Sequence, residues 1–111
     1  MSEKRWNTSY EPDSQGRINT ESDTRKQAFH TAKYANDIPL SQASSRQYMV
    51  KDKNTNENLR QWEYTNTKGQ KIDIREDRSK IYANGGTQNK YFNAGESGSK
   101  LNKQHHYYDT K

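Results

Sequence analysis

The sequence predicts an α+β domain in which one main helix precedes a small antiparallel sheet of about four strands. Two observations carry that reading. Apolar residues between positions 28 and 38 recur mainly every three or four residues, the period of a helix face, whereas from position 46 onward they alternate. The alternating runs are separated by clusters of Asn, Gly, Asp and Ser, the residues that punctuate strands.

Residues 1–20, MSEKRWNTSYEPDSQGRINT, are polar and without period, and read as a linker or N-terminal arm ahead of a domain over 21–111. In ESDTRKQAFHTAKYANDI, the positions Ala28, Phe29, Ala32, Tyr34, Ala35 and Ile38 mark a helix over about 23–36. Ser22 or Asp23 is its expected N-cap, and Pro39 forces a stop. RQYMVK (46–51) is the first expected strand. LRQWEYTN (59–66) and QKIDIRED (70–77) follow, joined by the tight turn TKG. KYFNAG (90–95) is a short strand between two Gly-rich loops, and HHYY closes as the last one.

Composition limits the core. Only 26% of the 111 residues are hydrophobic, and Leu, Ile, Val and Phe together number eleven, a level at which many chains stay disordered. Eight Tyr and two Trp stand against disorder, since each aromatic can bury roughly 150–250 Å². The expected domain is folded but marginal, with a wet, aromatic interior.

Several function classes drop out. With no cysteine there are no disulfides and no Cys-based zinc sites. No stretch reaches the ~20 apolar residues of a membrane-spanning helix. The N-terminus lacks the apolar region of a signal peptide, so the chain is expected to carry no export device of its own. The formal charge is +5, and residues 1–22 carry −1 of it, leaving +6 on the remainder. A basic body of that kind favours a polyanionic partner such as nucleic acid.

Candidate chemistry is sparse. His30 lies on the expected helix beside Phe29 and reads as a packing or surface histidine. His105 and His106 are adjacent in an expected strand, so they point to opposite faces and at most one serves a given site. A histidine titrating near neutrality is the usual acid/base for moving protons at phosphate oxygens. IREDRSK supplies Arg75, Glu76, Asp77, Arg78 and Lys80, guanidinium for phosphate and carboxylate for a metal or a proton. The same alternation also describes a salt-bridged sheet surface. Asn93, in YFNAGESGSK, can ligate a hard cation or bond a scissile phosphate.

AFHTAKYANDIPLSQ (28–42), YTNTKGQKIDI (64–74), GGTQNKYFNAG (85–95) and the closing HHYY, in that order, resemble the C-terminal toxin domains of bacterial polymorphic toxins carried by Rhs and LXG-type proteins. Those domains are described as nucleases of an HNH/endonuclease VII-like kind. The resemblance spans about residues 28–108. It implies an endonuclease secreted as part of a larger toxin, delivered by an N-terminal region absent from this chain, and acting in the target-cell cytoplasm. It also implies neutralisation by a cognate immunity protein, acidic where it meets the basic body.

Carried over by position, the resemblance matches at His106-Tyr107. The family's Asp-His stretch reads Arg75-Glu76-Asp77-Arg78 here, and its His-Phe-Asn segment reads Tyr91-Phe92-Asn93. The expected site has His106 as base, Arg75 and Arg78 on phosphate, and Asp77 and Asn93 holding Mg²⁺ or another divalent cation if one is used. Lys80, Lys90, Tyr91, His105 and Tyr107 are assigned to substrate binding. DNA is slightly favoured as substrate. The alternatives are a metal-independent ribonuclease of barnase, colicin or RelE-like architecture, supported by the shortage of metal-ligand histidines, and a non-enzymatic nucleic-acid-binding module.

Overall fold

The computed structural model describes residues 14, 16–52, 56–77, 80–81, 87–88, 90–99, 101 and 103–108. Among them, the domain is mostly a six-stranded mixed sheet with one short helix, which corrects the expected main helix and four-stranded antiparallel sheet. The elements are β1 (Ile18–Ser22), α1 (Arg25–Ala35), β2 (Arg46–Lys51), β3 (Asn58–Thr65), β4 (Lys71–Asp77), β5 (Lys80–Ile81), β6 (Thr87–Gln88), β7 (Tyr91–Glu96) and β8 (Gln104–Tyr108). The large sheet has the order β1-β8-β7-β4-β3-β2, and β5 pairs with β6 separately.

The correction has a specific source. β1 pairs parallel with β8, joining the two ends of the described chain, and takes in residues 18–20 of the expected arm. Its sequence INTES contains one apolar residue, yet Ile18, Thr20 and Ser22 are buried in alternation. A strand that buries hydroxyls leaves no apolar period to read.

The helix is shorter than expected because polar caps define both ends. Thr24 accepts from the Gln27 backbone N–H at 3.1 Å, and the Gln27 side chain accepts from the Thr24 N–H, also at 3.1 Å. This is a capping box one residue beyond the predicted cap. At the other end Asp37 adopts φ 62°, Ile38 N–H donates to Lys33 C=O, and Asp37 N–H donates to Tyr34 C=O. That left-handed closure ends the helix before Pro39 is reached.

Helix α1 lies on β8, β1 and β7. Ala28 and Ala32 are fully buried, so the helix approaches the sheet closely. Phe29 packs edge-on to Trp62 and Phe92, with ring centroids 4.9 and 5.2 Å apart. Ile38, Tyr64, Ile72, Ile74, Ala94 and Tyr108 complete the core. Lys33 is buried as well. Its ammonium donates to the Leu40 and Gln42 carbonyls at 2.9 and 2.7 Å and sits 4.9 Å from the Tyr64 ring centre. Those contacts replace the water that burial removes.

Glu76 fastens the helix to the sheet. Arg25 bonds it with two nitrogens at 2.7 and 2.9 Å, and the Tyr108 hydroxyl donates to it at 2.6 Å. Burial alone would raise the Glu76 carboxyl, but these bonds outweigh it and hold the group below the ordinary carboxylate range. The Tyr108 phenol is pushed up by burial and by that carboxylate.

The result is a sheet with two different faces. One carries α1 and the core. No described helix covers the other, and none is long and apolar enough to cross a membrane.

Candidate functional site

Strand pairing decides which candidate residues meet. Arg75 on β4 faces Asn93 on β7, and Asn93 faces His105 on β8. In the adjacent row Asp77 faces Tyr91, which faces Tyr107. All six residues lie on the sheet face away from α1, because side chains two apart on a strand share a face. Facing positions put Cβ atoms roughly 4.5–5.5 Å apart, close enough for one small group to be shared.

The cluster is held by its own hydrogen bonds. The Arg75 guanidinium donates to Asp77 Oδ2 at 3.2 Å, and the Asn93 amide N–H donates to the same oxygen. Asp77 and Asn93 are 7% and 3% exposed, and the Arg75 side chain is 28% exposed. A guanidinium fixed by a buried carboxylate yet reaching solvent is set to bind an anion. Among the described residues, Arg75 Nε and Asn93 Oδ1 are buried without a hydrogen-bond partner, so donor and acceptor capacity remains inside the cluster.

His105 stands beside them, half-buried. Its ring meets Tyr91 edge-on at 5.0 Å and lies 6.0 Å from Tyr107. Burial pulls its pKa below an ordinary histidine's, and the charge of Arg17 lowers it further, while Asp77 pulls the other way. The imidazole is therefore neutral at pH 7, the form that accepts a proton.

His106 does not join this group. It points to the helix side and is fully buried. Its Nδ1 lies 2.8 Å from the Thr20 hydroxyl and its Nε2 3.0 Å from Gln104 Oε1. With the amide so oriented, that oxygen can only accept, so Nε2 carries the proton and Nδ1 accepts from Thr20. Gln104 in turn exchanges bonds of 2.9 and 3.0 Å with the Asn36 amide. Burial, and then the proximity of His105, lower the His106 pKa to about 4. Both ring nitrogens are occupied, so His106 pins β1 to β8 and has no nitrogen left for a substrate.

Of the other expected residues, Lys90 lies just before β7 and borders a cavity against Asp77. Lys80 falls on β5, away from the large sheet's ladder. Arg78 lies outside the described residues.

A divalent cation does not fit the expected pair. Asp77 already accepts from a guanidinium and an amide at one oxygen, and Asn93 turns its nitrogen, not its carbonyl, toward Asp77. No group of three His, Asp or Glu side chains gathers anywhere among the described residues. The donor set suits proton transfer and anion binding better than coordination of a hard ion.

Sequence reasoning did not foresee Arg17 near His105, nor Gln61 extending the first row beyond Arg75 and donating to the Tyr48 hydroxyl at 2.9 Å. Strand parity alone would have placed Gln61, two residues before Glu63 on the same face. A comparison with family models, curated proteins and solved structures finds no match to the chain.

Proposed function

We propose that this domain is a nuclease that cleaves RNA without a metal ion, the toxic unit of an interbacterial toxin held in check by an acidic immunity protein. The observation that carries the reading is the cross-strand row Arg75–Asn93–His105, with Asp77 bonded to both Arg75 and Asn93. The toxin context rests on the family resemblance and on the +5 charge. The donor set moves the preference from metal-assisted DNA cleavage to RNA, whose 2′-hydroxyl supplies an internal nucleophile.

The chemistry follows from the side chains. Neutral His105 takes the proton from the 2′-hydroxyl, whose oxygen bonds to phosphorus. Arg75, aimed by Asp77, meets the charge that builds on the phosphate oxygens. The bond from phosphorus to the 5′ oxygen breaks, and that oxygen takes a proton from solvent. A 2′,3′-cyclic phosphate remains.

The test is incubation of the purified chain with total RNA and with plasmid DNA, each in Mg²⁺ and in excess EDTA, beside His105→Ala. Expected are RNA cleavage that survives EDTA, cyclic phosphate ends, intact DNA, and loss of cleavage in the variant. Cleavage that stops in EDTA, or that His105→Ala leaves unchanged, overturns the mechanism. Salt-sensitive binding without scission selects a non-enzymatic binding module instead.

A further inference from the structure

Strand β2 forms one end of the large sheet, and among the described residues it pairs with β3 alone. The bonding pattern shows which of its backbone groups are left open. Asp52 N–H donates to Glu57 C=O, the pair that continues the β2–β3 register. Bonded pairs alternate along an antiparallel ladder, so Tyr48 and Val50 bond to β3. Gln47, Met49 and Lys51 therefore turn their N–H and C=O groups away from it, in a row along the outer edge. Each of them is exposed, and no residue of β2 is buried.

An open edge of this kind accepts another strand unless proline, a bulge or a central charge blunts it. The register of β2 with β3 runs from Arg46 to Lys51 without a skipped residue. Its middle, Gln47 to Val50, holds neither proline nor charge. Met49 adds an apolar side chain that is 54% exposed.

Charge selects the occupant. Arg46 and Lys51 bracket the edge, and Arg60 faces Met49 from β3. Glu63 approaches Arg46 only to 3.8 Å, and β2 itself carries no carboxylate. A second copy would bring the same cations against these, on a chain already at +5. A strand with carboxylates near both ends meets them with opposite charge across the new pair.

We propose that β2 is where the immunity partner docks, adding an acidic-ended strand to the sheet through Gln47, Met49 and Lys51. The partner's identity rests on the toxin reading, whereas the docking edge stands apart from the cleavage chemistry. Tyr48 lies in the same cross-strand row as Gln61, Arg75, Asn93 and His105. Two strand spacings, about 10 Å, separate β2 from Arg75. The partner is therefore anchored beside the proposed site and not in it.

The probe is the hexapeptide acetyl-ETVTVE-amide, compared with its QTVTVQ and KTVTVK counterparts. Each is added at millimolar concentration to the full chain while the amide NMR signals are followed. The acidic peptide shifts the Gln47, Met49 and Lys51 amides and slows their exchange. It binds about fivefold more tightly than the Gln peptide, the worth of two exposed charge pairs. Met49→Pro removes an outward donor and takes nothing from the β3 ladder, a position where edge strands accept proline. It weakens binding about fivefold, the size of one backbone bond, and leaves RNA cleavage unchanged. Arg46→Glu/Lys51→Glu reverses the order, so that KTVTVK binds best, and this variant carries the test if the proline unsettles β2.

Unmoved amides at Gln47, Met49 and Lys51 overturn the docking edge, and so does binding that a folded Met49→Pro chain leaves unchanged. An order of peptides that the charge swap fails to reverse overturns the acidic occupant. Protection of the same amides that grows with protein concentration, with no peptide present, assigns the edge to a second copy and overturns it too. A wild-type chain that cleaves no RNA ends the nuclease reading, and the peptide titrations still decide the edge.

Discussion

The two faces of the large sheet treat neighbouring histidines in opposite ways. On the helix side, His106 is fully buried and both ring nitrogens are engaged, by Thr20 and Gln104. On the other side, His105 is half-buried, packed against tyrosines, and stands in a row with Asn93 and Arg75. One dipeptide thus supplies a structural bolt and a chemical group. What separates them is a single step of strand parity, which carries each ring to a different environment.

The largest expected effect breaks that comparison outright. His105→Ala lowers RNA cleavage about 10²–10⁴-fold, the usual worth of a positioned acid/base, while unfolding free energy changes by less than about 1 kcal/mol. His106→Ala does the reverse, destabilising the fold because it empties a buried site and leaves Thr20 and Gln104 short of a partner. Cleavage assays and denaturant melts on both variants separate the roles. Equal losses of activity without loss of stability would show the faces to be equivalent.

Acid should act through the helix side. Folded His106 has its pKa lowered to about 4, whereas an unfolded histidine titrates near 6.5. Between those values the unfolded chain binds the extra proton, so stability falls as pH falls through that window. The contribution is fully present above pH 6.5, and about 3 kcal/mol of it is gone by pH 4. His30 and His105 are lowered too, adding slope of the same sign. Melts from pH 7 to 4 should show a steep decline that His106→Gln flattens. A decline of equal steepness in that variant would place the acid sensitivity elsewhere.

How much of this was legible follows from the physics of each element. β2 is read residue for residue over 46–51, and β3 and β4 within one residue at either end, because apolar side chains alternate between turn clusters. β1 is illegible locally. Its buried positions are Ile18, Thr20 and Ser22, and its partner lies more than eighty residues away. The helix ends were missed by one or two residues, because Thr24 with Gln27 starts it just after the expected cap at Ser22 or Asp23, and the left-handed Asp37 closes it before Pro39 is reached. At the site, sequence showed that His105 and His106 must face apart, but not which way. Tyr107 and Tyr108 follow in the same alternation and give no contrast in polarity. Only the pairing of Phe92 with His106 and Asn93 with His105 resolves it.

A smaller effect sharpens the account of the helix side. Thr20→Val keeps the shape of the side chain and removes the hydroxyl that donates to His106 Nδ1. The ring nitrogen is then buried without a partner, at a cost of about 2 kcal/mol. Because β1 is otherwise polar, this one bond also guards its pairing with β8. Hydrogen exchange of the β1 and β8 amides should quicken in the variant while that of β3 and β4 holds. Uniform quickening would mean that β1 unfolds only with the whole domain.

The smallest expected effect belongs to the opposite face, and its smallness is the point. Arg46 lies 3.8 Å from Glu63 across the β2–β3 pair and stacks 4.6 Å from the Tyr48 ring centre, but its side chain is 66% exposed. Solvent screens such a pair, so Arg46→Gln should cost about 0.5 kcal/mol or less. Thr20→Val removes one neutral bond and Arg46→Gln removes a full charge, yet the neutral bond should matter several times more. Burial decides between them, since a group left unpaired in the core has no water to turn to and one at the surface does. Denaturant melts of the two variants in one buffer give the ratio directly. A cost for Arg46→Gln as large as that of Thr20→Val would mean that the face away from the helix is as closed to water as the core.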